Sequence, residues 1–144
     1  MGARYSVSKT GTATSTTADS ITITAPANRS LKIWEIFVGG QGTASANNEL
    51  VVARSTGGVT PVAIVPSPTN ADYAAATFTA AGSWATQPTL GATIRRISCN
   101  GNGGLLRMPF PPGSEIDIPA GGQISIRATA GSSILTLDSI VEQI

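Results

Sequence analysis

The sequence predicts an all-β fold, a jelly-roll-like β-sandwich of short antiparallel strands, and three observations support this prediction. About nine or ten short apolar segments follow one another, with turn residues every 8–12 positions or so. Apolar and polar residues alternate with a period of two in several segments, for example over 114–118 and 123–130. No strand-like segment alternates with a helical one, and no internal repeat is evident. This number of strands fits the two sheets of a jelly roll.

Residues 29–40 are expected to form a central strand. They are the longest run rich in β-branched and aromatic residues, and Pro26 and the Gly39-Gly40 pair bound the run. A regular strand would place Leu31, Ile33, Glu35 and Phe37 on one face and Lys32, Trp34, Ile36 and Val38 on the other. Both faces are largely apolar, so we expect this strand to be covered on both sides.

The chain is predicted to begin with an extended N-terminal arm, residues 1–19, which precedes the sandwich domain at 20–144. Residues 4–8 suit a short first strand. Between Lys9 and Asp19 there are only Thr, Ser, Ala and Gly, which favours an extended or mobile linker. We therefore expect the arm to become ordered on a partner.

Further strands are predicted over residues 20–25, 49–54, 59–65, 90–99, 105–110 and 133–144. Residues 66–89 are predicted to be irregular, with a short helix over 72–76 capped by Asn70. A loop of this length is usually functional or interacting. Equally, its aromatic residues Tyr73, Phe78 and Trp84 would serve as a lid on the core.

Composition restricts the possible functions. Charged residues make up 12% of the chain and the net charge is +1, whereas about a quarter of a typical domain is charged. A surface of Ser, Thr, Gly, Ala and Asn resists desolvation weakly, so much of it suits burial against neighbours; the alternative is a monomer kept soluble by hydroxyl groups. The near-neutral charge argues against nucleic-acid binding. No apolar run approaches the roughly 20 residues that span a bilayer, and no secretory signal is evident.

The sequence offers no catalytic residue and predicts no cofactor or metal. It contains no histidine, which removes the commonest general base and metal ligand. Cys99 is the only cysteine and is expected to be a small core residue. Glu115 and Asp117 share one face of a strand, as a cation site or a glycosidase pair would require. Because they alternate with Ile116 and Ile118, the simpler interpretation is the solvated side of an amphipathic strand.

Three stretches carry a resemblance to a known group of proteins. They are ITAPANRSLKIWEIFV at 23–38, ARSTGGVTPVAIVPSPTNAD at 53–72 with GSWATQP at 82–88, and PPGSEIDIPAGGQISIR at 111–127. They resemble, in turn, an opening strand pair, a long Pro-rich middle and a late hairpin with a Pro-Ala-Gly turn. The group consists of small virion proteins of tailed phages with jelly-roll-like folds.

The resemblance implies a structural virion protein without enzymatic activity, a decoration or cement protein that binds the major capsid protein and stabilises the shell. The alternative is a tail-fibre or receptor-binding domain; a glycan-active enzyme is disfavoured by the missing histidine. The implied location is the capsid surface, after assembly in the host cytoplasm, and the second implied partner is the chain itself, as a homo-oligomer and most simply a trimer. The expected partner interface consists of the following side chains from the arm and the irregular segment: Arg4, Tyr5, Tyr73, Phe78 and Trp84.

Overall fold

The computed structural model describes residues 2–144, with Thr12 described by its backbone alone. Over this range the chain forms strands and no helix. The strands are β1 (Ala3–Ala13), β2 (Asp19–Thr24), β3 (Leu31–Gly40), β4 (Asn47–Thr56), β5 (Val59–Ile64), β6 (Ser67–Pro68), β7 (Thr79–Thr86), β8 (Thr89–Asn100), β9 (Leu105–Pro109), β10 (Ile116–Ile118), β11 (Gln123–Ala130) and β12 (Ile134–Gln143). The predicted all-β class is confirmed.

The strands form two antiparallel sheets. Sheet 1 has the order β10-β3-β12-β1-β6, with β9 also paired to β3, and sheet 2 has the order β5-β7-β2-β11-β4-β8. Without β5, β6 and β7, the order β1-β12-β3-β9/β10 faces β2-β11-β4-β8, which is the strand order of a jelly roll. The predicted jelly-roll-like sandwich is therefore confirmed, with β5 to β7 as an insertion between β4 and β8.

The core lies between the two sheets. Each sheet contributes alternate residues, because successive side chains of a strand point to opposite faces. The largest fully buried side chains of this core are Tyr5, Ile21, Ile23, Leu31, Ile33, Ile36, Leu50, Ile97, Ile118, Ile124 and Ile126.

A β-bulge at Trp34 corrects the predicted faces of β3. The strand is central as expected, with β12 on one side and β9 and β10 on the other. Its register against β12 passes from Ile33↔Val141 to Glu35↔Ile140, so Trp34 has no residue opposite it. An extra residue shifts the alternation by one position, which makes the predicted division of the faces wrong. The core face carries Leu31, Ile33, Ile36 and Val38, and the half-buried outer residues are Lys32, Trp34, Glu35 and Phe37.

The N-terminal segment is extended, but it is packed rather than free. Strand β1 pairs with β12 over Ala3–Ala13 and lies between β12 and β6. Tyr5 and Val7 are 1% and 0% exposed. These alternate inward-facing residues anchor the strand on the sandwich, and ordering of the arm on a partner stays a prediction. Gly11, with φ of +78°, accommodates a register shift between Lys9 and residue 12. Residues 14–18 connect β1 to β2.

Residues 66–89 are more ordered than predicted. They contain β6 and β7, and the predicted helix over 72–76 is absent. Asn70 instead closes a turn, since its carbonyl accepts the Tyr73 N–H at 3.1 Å and its side chain accepts the Asp72 N–H at 3.1 Å. The Ala74 carbonyl accepts the Tyr5 hydroxyl at 2.8 Å, which ties the segment to β1.

Candidate functional site

Two of the five predicted interface residues lie in the core. Tyr5 is 1% exposed and Phe78 is 3% exposed. Their rings meet edge to face with centroids 5.5 Å apart, an arrangement that aromatic pairs favour. These two side chains hold the inserted segment on the sandwich, and they present almost no surface to a partner.

The other three predicted interface residues are half-buried and do not lie together. The Arg4 guanidinium stacks 4.3 Å from the Trp34 ring centre, on the outer face of sheet 1. The Trp84 Nε1–H donates to Thr22 Oγ1 at 3.0 Å, on the outer face of sheet 2. Tyr73 lies in the turn between β6 and β7. An interface role for Arg4, Tyr73 and Trp84 stays a prediction.

A buried polar cluster, which the sequence did not reveal, lies on the outer face of sheet 2. Its centre is Asp19, whose side chain is 0% exposed and whose Oδ1 accepts the Arg127 Nε–H at 2.6 Å. Thr22 Oγ1 donates to Asp19 Oδ2 at 2.7 Å, and Ser125 Oγ donates to the same oxygen. Ser55 Oγ forms a further hydrogen bond with Ser125 Oγ at 2.8 Å. We call these five residues the Asp19 cluster.

The Asp19 cluster fastens the turn between β7 and β8 onto sheet 2. The Asp19 N–H donates to Gln87 Oε1 at 2.9 Å, and Arg127 Nη2 donates to the Pro88 carbonyl at 2.9 Å. Trp84 adds the hydrogen bond to Thr22 described above. Because this turn covers the cluster, its serine and carboxylate are closed to solutes. The arrangement therefore holds structural elements together and does not present a nucleophile.

A second buried carboxylate lies on the outer face of sheet 1. Glu142 is 5% exposed, and its oxygens accept the Trp34 Nε1–H at 2.6 Å and the Gly2 N–H at 2.7 Å. Among the described residues, no lysine or arginine lies within ion-pair distance of Glu142. Its hydrogen bonds come from neutral donors, while the two cations opposite it in register, Arg4 on β1 and Lys32 on β3, stay outside ion-pair distance.

Glu115 and Asp117 are on the more exposed side of their segment, as the simpler interpretation predicted. Ile116 and Ile118 are buried, whereas Asp117 is exposed and Glu115 is half-buried. Hydrogen bonds from its own N–H and from that of Gly113, at 2.7 Å, lower the pKa of Glu115. Within residues 2–144, no three acidic or cysteine side chains form a group that would hold a metal ion.

A shallow groove of about 200 Å³ lies between β8 and β9. Leu105 and Leu106 line it and are 70% and 37% exposed. Cys99 also lines the groove, and it is half-buried against the core rather than fully enclosed. Burial raises the pKa of the Cys99 thiol, which keeps it protonated at neutral pH. The groove thus combines the exposed side chains of Leu105 and Leu106 with the polar residues Ser98 and Asn100, beside the free edge of β8.

The opposite edge of sheet 2 is also apolar. Strand β5 pairs with β7 alone among the described strands. Val59 and Val62 on it, and Val65 directly after it, are 57%, 63% and 82% exposed. A cleft of about 150 Å³ beside this edge is lined by Pro61, Trp84 and small side chains. This edge presents hydrophobic surface without reactive groups.

Comparisons of the chain with protein-family models, with curated proteins and with solved structures returned no match. The fold class therefore rests on the strand pairing itself. A function has to be argued from the surfaces, because one fold serves many functions.

Proposed function

We propose that this chain is a structural protein of a phage virion, a decoration protein that binds the major capsid protein and stabilises the shell. The resemblance of residues 23–38, 53–72 and 111–127 to small virion proteins suggests the class. The sandwich agrees with this class and does not single it out. The protein acts at the capsid surface as a homo-oligomer, after assembly in the host cytoplasm.

The observation that carries the proposal is the free edge of β8 beside the β8–β9 groove. Residues 95–100 pair in regular register with β4 and contain no proline. The other side of this strand has no strand partner among residues 2–144. A capsid segment that adds a strand here would gain main-chain hydrogen bonds, and its apolar side chains would contact Leu105 and Leu106.

We propose no catalytic role for the chain. There is no histidine, and the Ser125–Asp19 contact is enclosed. The proposed activity is binding, and it requires no cofactor. Attachment through backbone pairing and apolar contact should not weaken with salt, unlike exposed ion pairs, which contribute at most about 1 kcal/mol each.

A tail-fibre or receptor-binding domain is the second candidate. The cleft beside Trp84 favours it, because ligand sites are commonly apolar clefts with aromatic walls. The number of copies per virion separates the two candidates. Quantitative mass spectrometry of purified particles should find this chain in a fixed ratio to the major capsid protein. A few copies per particle would favour the second candidate, and absence from particles would reject both.

A salt wash of purified particles tests how the chain is attached. At about 1 M salt the Debye length is about 3 Å, so exposed ion pairs are screened. We expect the chain to remain on the shell, and we expect Leu105→Glu to reduce its occupancy by placing a charge in the groove. Selective release of the unaltered chain from an intact shell would contradict attachment at an apolar groove.

A further inference from the structure

We infer that β5 is a self-association surface: two copies of the chain meet through the exposed side chains of β5 across a two-fold axis. The inference concerns the chain alone in solution, and it stands whether or not the chain binds a capsid. It names a second copy of this chain as the partner that covers the exposed residues Val59, Val62 and Val65.

The absence of charge along β5 favours a second copy of the chain as the partner that covers it. In a two-fold contact the same patch lies on both sides, so a strand edge whose charges all have one sign meets like charge across the axis. Like charges that face each other are destabilising, and a self-pairing edge should therefore be uncharged. No charged residue occurs from Ser55 to Ala71, a stretch that contains β5 and β6.

The other sheet edges of the described chain do not meet this requirement. The charged residues along them are Arg95 and Arg96 on β8, Arg107 on β9, Asp117 on β10 and Lys9 on the part of β1 that β6 leaves uncovered. The edge formed by β6 itself is two residues long and belongs to the uncharged stretch. Only the β5 side of the described sandwich thus combines a free strand, exposed apolar residues and the absence of charge.

Lys9 is the charged residue that approaches this side, and its ammonium group is already bound. It reaches across from sheet 1 and donates to the Gly82 carbonyl on β7. Burial lowers the pKa of Lys9, which is the effect expected for an ammonium group drawn away from water. Its ammonium group is thus bound to β7, the neighbour of β5 in sheet 2.

The backbone of β5 favours a contact through side chains over one through strand pairing. Thr60 has φ of +53°, Pro61 has no N–H, and the register shifts between Val62 and Ala63. These features interrupt a continuous hydrogen-bond ladder and oppose open-ended strand pairing. The valine side chains then supply the contact, and burying them is favourable by about 25 cal/mol for each Å² of apolar surface. A two-fold contact closes as a dimer, whereas the resemblance implied a trimer.

Light scattering coupled to gel filtration tests the inference on the purified chain. We expect a mass about twice the 14.6 kDa of one chain. Val62→Glu should halve this mass, because two like charges would face each other across the axis. Val65→Glu should act similarly, and it is the safer variant since Val65 is 82% exposed.

Leu105→Glu is the matched control, because it places the same charge at an exposed apolar residue away from β5. It should keep the doubled mass, and circular dichroism melting should show all three variants folded. A monomeric or trimeric unaltered chain would overturn the inference, as would an unchanged mass in both valine variants. Loss of capsid binding in Leu105→Glu with an intact dimer would separate the two surfaces.

Discussion

Two buried carboxylates, one on the outer face of each sheet, are held in opposite ways. Asp19 on sheet 2 has a cation, Arg127, and hydroxyl donors around it. Glu142 on sheet 1 has the neutral donors Trp34 and Gly2. Each carboxylate is covered, and each stabilises a different contact: Asp19 a distant turn on sheet 2 and Glu142 the backbone of Gly2 beside sheet 1.

The difference shows where a substitution should be costly. A buried ion pair is mutual, so removal of one partner leaves the other as an uncompensated charge. Glu142 is hydrogen-bonded only by neutral donors, so its neutralisation leaves no charged group in direct contact, although Arg4 and Lys32 remain opposite it on the neighbouring strands. The two sites should therefore respond unequally to the same loss of charge.

The largest loss of stability should come from a carboxylate that a substitution introduces at a buried site with neither a cation nor a hydrogen-bond donor. Ile36 is 1% exposed and lies on the core face of β3. Ile36→Asp should abolish soluble expression, because a buried charge without a partner costs several kcal/mol or more. Phe37→Asp is the control, since Phe37 is half-buried on the outer face. Normal yield and an unchanged melting curve for Ile36→Asp would refute the burial of this position.

Asp19→Asn should have the next largest effect, a loss of about 3 kcal/mol in the free energy of unfolding. The amide keeps the shape but leaves Arg127 buried beside a neutral group. Urea unfolding measures the loss. Asp138→Asn is the control, because Asp138 is half-buried and accepts the Ser6 hydroxyl at 2.8 Å. An equal loss in both variants would mean that the Asp19–Arg127 pair contributes no more to the free energy of unfolding than the Asp138–Ser6 hydrogen bond does.

The fold was predictable where alternation is regular. Gln123–Ala130 is a strand with the predicted bounds, because Ile124 and Ile126 point inward in turn. Strand β7 escaped prediction, since its sequence TAAGSWAT offers small side chains and no apolar alternation. The bulge at Trp34 could not be predicted either, because it depends on which residues of β12 lie opposite those of β3.

The Asp19 cluster could not be predicted from local sequence. Ser125 and Arg127 alternate with isoleucines, a pattern that indicates a solvated face. They are covered instead by a turn that comes from residues 84–88. Burial of this kind depends on tertiary contacts between distant parts of the chain, which no spacing rule encodes.

Glu142→Gln should be milder than Asp19→Asn, with a loss of about 1 kcal/mol. The amide keeps one acceptor, but its NH2 group must face one of the two N–H donors. Unfolding curves measure the loss, and Trp34→Phe completes a double-mutant cycle. The two substitutions should be less costly together than their sum. Strict additivity would contradict a direct contact between Trp34 and Glu142.

The smallest effect on stability should come from substitution of Glu49, an exposed carboxylate that accepts hydrogen bonds from Thr129 and Arg96. Thr129 Oγ1 donates at 2.7 Å and Arg96 Nη1 at 2.8 Å, and these two hydrogen bonds lower the pKa of Glu49. Because the pKa is lower in the folded state, the stabilisation is present above the unfolded-state pKa and is lost as the pH falls through the folded-state pKa. The melting temperature of the unaltered chain should exceed that of Glu49→Gln slightly at pH 7, and the difference should disappear in acid. It should also shrink at high salt, because the Arg96–Glu49 pair is exposed. A difference that persists unchanged at low pH and high salt would mean that Glu49 acts through packing and not through its charge.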